Sequence, residues 1–315
     1  MTLSRFERKR SLIGVIAAMA VVNLVYGITF PLLALVLDAQ GVSKTLIGLS
    51  TMAQALAVIF IAPWTPALLR RIAPSRLMRW TTLFLAILFI MAGLYPNVWF
   101  WFPLRFVVGG LTGLLWISSE ALINDLAEDR WRGRIIGTYA SVGAAGFALG
   151  PLLLIATGSV GLLPFIATSS LILCAGLPLF VVHQRQMAPA EERSGGLWHV
   201  FWLAPTIMLA NVAYSATAES LLTFFPLFGI SLGLTENFAL GLMTLMGFGT
   251  MILVMPLGWL ADHIDRMGML AACVALSMVG LLIMPWVLQA HWLAVPFAFM
   301  FGGVEGMIYT LGVIL

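Results

Sequence analysis

Charge is scarce in this sequence. Only 9% of its 315 residues are Asp, Glu, Lys or Arg and 61% are hydrophobic, with a mean hydropathy of +1.04. A soluble domain of that composition lacks the polar surface to cover its apolar atoms, so the chain belongs in lipid. Cysteine is almost missing. Cys174 and Cys273 each sit inside an apolar stretch with no CxxC nearby, which excludes a disulfide framework or a clustered zinc site. The four histidines, His183, His199, His263 and His291, fall at helix ends or loops without metal spacing. No Walker loop or GxSxG elbow is present either, so enzyme chemistry has nothing to rest on and no cofactor is expected. The net charge of +3 comes from short basic clusters between apolar runs rather than one basic face, which argues against a nucleic-acid partner.

What is there is length without polarity. Apolar stretches bounded by charge, Gly and Pro predict ten spans, near 11–37, 43–69, 75–95, 98–123, 134–157, 160–182, 200–230, 236–261, 267–289 and 292–315, each long enough to cross hydrocarbon about 30 Å thick. The basic start followed by the run from Ser11 to Leu37 superficially resembles a secretory signal, but a signal core is only about 7 to 15 residues.

The loops alternate in chemistry. Of the 16 Lys and Arg residues, 14 lie in the N-terminus or the even-numbered loops: Arg5, Arg8, Lys9, Arg10, Arg70, Arg71, Arg76, Arg79, Arg130, Arg132, Arg134, Arg185, Arg193 and Arg266. Positive charge is retained on the cytoplasmic side, so a cytoplasmic N-terminus in a bacterial inner membrane is expected. Trp99, Trp101, Trp198, Trp202, Trp286 and Trp292 cluster at span ends, where interfacial anchoring and ordinary packing are both open readings.

The chain repeats itself. Asn23, Tyr26 and Thr29 of the first span recur 188 residues later as Asn211, Tyr214 and Thr217 of the seventh. GGLTG at Gly109 followed by Trp116 recurs 193 residues later as GGVEG at Gly302 followed by Tyr309. Three ordered matches at nearly one offset, the third joining the loops after the second and eighth spans, predict two parallel six-helix halves. Their boundaries are 1–182 and 200–315, joined by a cytoplasmic linker at 183–199. Spans five and six have no counterpart, and the offset predicts a complete chain reaching about residue 375.

The loop after the eighth span, GWLADHIDRMG from Gly258 to Gly268, resembles the loop signature GxLaDrxGrk of the major facilitator superfamily. That resemblance implies close helix packing at Gly258 and a gate role for Asp262 and Arg266, with Arg130, Arg132 and Arg134 at the start of the fifth span as Asp262's partners. A solvated loop charge is the plainer reading of Asp262. The first-half copy departs from the signature, with Pro66 in the glycine place and Arg70 in the acidic place. Arg105 followed by Gly109 resembles the superfamily's RxxxG. Gly146, Gly150 and Pro151 match its GxxxGP, found most often in proton-coupled drug exporters, although the physics by itself gives helix packing and a bend.

In that fold the first, fourth, seventh and tenth spans line a central cavity. They carry Asn23, Tyr26, Arg105, Trp116, Asn211, Tyr214, Glu219, Glu305 and Tyr309, which become the candidate substrate and proton site. An ionisable group inside hydrocarbon costs about 2.5 to 3.5 kcal/mol or more unless paired or hydrated, so a functional role is the default. Arg105 could also snorkel to the headgroups from its position about 9 Å below the span end, or pair with Glu219. Glu219 and Glu305 suit proton carriage, with a structural ion pair or polar glue as the competing role. Glu120, near the cytoplasmic end of the fourth span, is placed with the gate.

The resemblance implies an all-α membrane protein with two six-helix bundles, of which about ten of twelve spans are present. The expected function is secondary transport of a small molecule by alternating access, with proton-coupled efflux of an amphipathic compound leading. Uptake of a sugar-like nutrient, or a non-transporting sensor or scaffold, are the alternatives. Protons and the lipid bilayer are the other expected partners, and the chain is expected to act as a monomer.

Overall fold

The computed structural model describes residues 4–128, 130–183, 205–261 and 263–314, with the side chains of 205–208, 210, 211, 213, 313 and 314 left aside. Every long element among them is helical: α1 (Arg5–Ala39), α2 (Lys44–Ile61), α3 (Thr65–Arg71), α4 (Pro74–Leu94), α5 (Val98–Leu126), α6 (Arg132–Thr157), α7 (Leu163–Gly176), α8 (Pro205–Ser231), α9 (Glu236–Ala261), α10 (Arg266–Gln289) and α11 (His291–Ile314). Among the described residues nine stretches, with α2 and α3 taken together, are long and apolar enough to cross a membrane. The chain divides into two compact units, Met1–Glu191 and Glu192–Leu315.

The helix ends follow from local chemistry. Ser4 and Glu7 form a reciprocal capping box at the start of α1, satisfying donors that the first turn leaves open. Gly41 takes a positive φ of 75° in the turn to α2, a conformation costly for residues with a Cβ. Asn97 caps α5, and Asp265, which stands in a glycine place of the loop signature, caps α10 by accepting from the Gly268 amide at 2.6 Å.

Two predicted spans differ in detail. The second is broken by a 3-10 turn at Ala62–Trp64, where Pro63 withdraws an amide donor. The sixth is regular only from Leu163 to Gly176, because Gly158 and Gly161 adopt positive φ before it and Pro178 opens a 3-10 turn after it.

In the amino-terminal unit α1 packs along α6, α2 along α5, and α4 along α7. Lipid offers no hydrophobic force between helices, so close backbone approach is what holds them. A Cβ on Gly146 would clash with the Ala20 carbonyl, and one on Gly150 with the backbone of Gly27. The GxxxGP glycines are thus the contact surface between α6 and α1.

In the carboxy-terminal unit the strongest packing is α9 along α11, with α10 beside α11. The glycine contacts repeat. A Cβ on Gly109 would strike the Gln54 carbonyl of α2, and one on Gly302 would strike the Met246 carbonyl of α9. Those pairs occupy matching places in the repeat.

Outward faces stay apolar: Phe60, Trp80, Met255 and Leu282 are all exposed, as a lipid-facing surface requires. Trp99, Trp286 and Trp292 are exposed as well. Trp101 is not an interfacial anchor. It is fully buried, donates to the Ala92 and Tyr95 carbonyls at 3.2 and 3.1 Å, and meets Phe165 edge-on. Trp198 and Trp202 lie outside the described residues.

Candidate functional site

The amino-terminal unit holds a cation in its interior. Arg105 on α5 is only 1% exposed, which overturns the expectation that it could reach the headgroups. Its Nη1 donates to Ser50 Oγ at 2.9 Å and Thr51 Oγ1 at 2.7 Å, both on α2. Its Nε and Nη2 are buried without a hydrogen-bond partner among the described residues, so the guanidinium keeps donors that its surroundings do not use. Sequence reading missed Ser50 and Thr51. Their signal was a polar cluster with Gln54 in an otherwise apolar span, and all three are buried.

About three helical turns along α5 from Arg105, Trp116 packs against Tyr26 of α1 with ring centroids 5.2 Å apart, and Tyr26 also meets Phe30 and Phe147 at 4.7 and 6.1 Å. The indole Nε1 of Trp116 is buried without a partner among the described residues. A void of about 20 Å³ lies beside Tyr26, Thr29, Gln54 and Thr112, enough for one water. Asn23 is half-buried and turned back on its own helix, its amide donating to the Met19 carbonyl at 2.8 Å.

The carboxy-terminal unit holds a carboxylate. Glu305 on α11 is 7% exposed. Its Oε1 accepts a hydrogen bond from Ser277 Oγ of α10, and its Oε2 is buried without a partner among the described residues. Tyr214 of α8 packs at a tilt against Tyr309 of α11, with ring centroids 5.4 Å apart, and lies within electrostatic reach of Glu305 and Glu219. Four of the predicted residues therefore converge here. Asn211 belongs to α8, but its side chain lies outside the described residues.

The gate residues are scattered in what they do. Arg130 and Arg134 lie over the Trp131 ring at 5.2 and 4.9 Å, while Arg132 opens α6 and Arg266 opens α10. Arg8 pairs with Glu128 at 2.8 Å, tying the start of α1 to the segment before α6. Glu120 is exposed on α5. Asp262 lies outside the described residues. A Cβ on Gly258 would meet no heavy atom of the described residues within 4 Å. Among the described residues no group of His, Cys, Asp and Glu is arranged to hold a metal.

The family model described as "Major Facilitator Superfamily" matches residues 15–315. The chain belongs to this superfamily. Membership makes it a multi-pass membrane protein of a transporter family rather than an enzyme. It is 24% identical over 301 residues to the uncharacterized MFS-type transporter YfkF of Bacillus subtilis, covering 91% of this chain and 75% of that one. It is 27% identical over 236 residues to the multidrug resistance protein MdtG of Citrobacter koseri, covering 70% of this chain and 57% of the relative. Against MdtG the match thus spans little more than half of the relative's length. Among solved structures, a bacterial homolog of the human lysosomal transporter Spinster, inward-facing and unoccupied, aligns with a TM-score of 0.74 at 15% identity, over 98% of this chain and 76% of that one. The nucleoside transporter NupG aligns with a TM-score of 0.74 at 9% identity, over 96% and 81%. These structural likenesses concern the fold.

Proposed function

We propose that the protein exports a small amphipathic molecule in exchange for protons by alternating access, from a bacterial inner membrane with its N-terminus in the cytoplasm. The observation that carries this reading is Glu305, enclosed in the carboxy-terminal unit with one oxygen held by Ser277 and the other without a partner among the described residues. A carboxylate kept in such a place is costly unless it binds a proton or a cationic group in its working cycle. Tyr214, Tyr309 and Glu219 beside it supply aromatic faces and a second acid, a combination suited to a flat, partly apolar cation. Arg105 is the counterpart in the amino-terminal unit, where its unused donors suit a polar group of the substrate or a bridging water. The similarity to MdtG, named as a multidrug resistance protein, supports export. The orientation rests on the basic loops, and the division into halves at 1–182 and 200–315 rests on the internal repeat.

The test is flux in proteoliposomes holding the purified chain and ethidium as the amphipathic cation. An imposed pH gradient is expected to drive ethidium movement that Glu305→Gln abolishes, with the variant still folded and still exchanging ethidium at equal pH. Gradient-driven flux unchanged in Glu305→Gln would remove Glu305 from proton coupling. Absence of any flux or binding in the unaltered chain would favour a sensor or scaffold with the same fold.

A further inference from the structure

A groove on the outer surface of the amino-terminal unit, between α4 and α7, is unrelated to the residues above. Deep in the unit the two helices are pinned together, with Ser169 Oγ donating to the Ala86 carbonyl at 2.8 Å. Toward the start of α4 they stay close, since a Cβ on Gly176 would fall 3.1 Å from Thr82 Oγ1, and α7 then gives way to the 3-10 turn at Pro178–Phe180. A cavity of about 560 Å³ lies along this seam. It lies at the same end of the unit as the basic start of α1, because the His183 amide beyond α7 donates to Ser11 Oγ at 3.0 Å.

The chemistry of the groove is graded. At its mouth stand Arg76 and Arg79, three residues apart and therefore neighbours on one helix face. Farther in, the walls become Leu83 and Leu173, and Trp80 and Phe180 stand exposed at the rim. Among the described residues no acidic one lines it. The guanidinium of Arg79 is held in position: its carbon lies 4.8 Å over the Phe180 ring, and its Nε donates to the Ser75 carbonyl at 3.1 Å. Its two terminal nitrogens make no protein hydrogen bond among the described residues, and such a fork matches a phosphate oxygen pair.

From this geometry we infer that the groove between α4 and α7 binds an anionic phospholipid, its phosphate on Arg79 and Arg76 and an acyl chain along Leu83 and Leu173. A soluble anion would use the cations but not the apolar floor. A zwitterionic lipid would use the floor but bring its own cation to the mouth, where two already stand. Basic pockets between helices on the side that faces an anionic leaflet are suited to such headgroups.

The experiment is native mass spectrometry of the full 315-residue protein, extracted with equal amounts of dioleoyl phosphatidylglycerol and dioleoyl phosphatidylcholine. Retained phosphatidylglycerol is expected to exceed phosphatidylcholine. Arg79→Gln is expected to lower the retained phosphatidylglycerol about fivefold, the effect of losing one cation beside an anionic lipid, with phosphatidylcholine unchanged. Arg79→Lys, which keeps the charge without the fork, is expected to fall between the two, and the unfolding midpoint of each variant separates lost binding from lost fold. A second measurement uses the unaltered protein alone: excess inorganic phosphate is expected to leave the lipid adducts in place. Equal retention of the two lipids, an Arg79→Gln variant that keeps its preference, or displacement by inorganic phosphate would each overturn the assignment, the last in favour of a soluble-anion site.

Discussion

Tyr26 packs at a tilt against Trp116 across α1 and α5 with 5.2 Å between ring centroids, and the same tilted contact recurs between Tyr214 and Tyr309 across α8 and α11 at 5.4 Å. The two pairs stand at matching places of the internal repeat, so what is kept between the halves is an aromatic contact rather than a residue type. The indole N–H of Trp116 is buried without an acceptor among the described residues, so the contact seen there is made by the ring. Trp116→Phe is therefore expected to leave the unfolding midpoint in detergent nearly unchanged. Trp116→Ala should lower it clearly, since it forfeits about 0.5 to 1.5 kcal/mol of ring contact beyond the buried area. A Trp116→Phe variant as unstable as Trp116→Ala would show that the indole N–H has a partner in the folded protein.

The Arg105 cluster predicts an asymmetry between its partners. Ser50 and Thr51 also donate to the Ile47 carbonyl, at 2.8 and 3.2 Å, so Arg105→Met leaves both hydroxyls satisfied. The converse Ser50→Ala/Thr51→Ala change strips the buried guanidinium of both acceptors, and leaving a buried charge unpaired is the costlier error. The double alanine variant is expected to be the less stable of the two in thermal unfolding. Adding Arg105→Met to it should restore stability, an interaction read directly from the double-mutant cycle. Additive losses would mean that the cluster is not a unit.

The glycines predict where bulk is tolerated. Gly146 and Gly150 meet the α1 backbone, Gly109 meets Gln54, and Gly302 meets Met246, whereas Gly110, Gly241 and Gly258 face open space. Alanine at Gly150 or Gly302 is expected to cost about 1 to 3 kcal/mol by overpacking, seen as loss of monodisperse protein on gel filtration. Alanine at Gly110 or Gly241 should be silent on the same measurement. A silent Gly150→Ala would show that α1 and α6 can separate without penalty.

Much of this was legible before any coordinates. The spans are written in long apolar runs because hydrocarbon demands about 20 such residues, and the Tyr and Trp pairs were marked by the repeat. The partners of the charges were not. Ser50, Thr51 and Ser277 are neutral hydroxyls of a kind common in packed helices, and a search for an opposite charge passes them over. Gly258 is a related case: what a glycine does depends on the atoms opposite, and its loop motif says nothing of those. The break at Pro63 was visible as a proline, but prolines also stand inside α1, α5 and α6 without ending them.

Ser277 offers a way to separate structure from transport at Glu305. Its hydroxyl is the described donor to the carboxylate, and hydrogen bonds between membrane helices are worth only about 0.6 kcal/mol on average. Ser277→Ala is therefore expected to reduce stability slightly while removing the carboxylate's hydrogen-bond donor among the described residues. If Glu305 takes up and releases the proton that drives transport, that change should shift the pH at which flux is half-maximal. Glu305→Gln should instead remove the pH dependence altogether. The measurement is ethidium flux in proteoliposomes across a series of internal pH values for the unaltered protein and both variants. A pH profile unmoved by Ser277→Ala, together with pH-dependent flux surviving in Glu305→Gln, would leave Glu305 a packing residue and move the search for the proton carrier to Glu219.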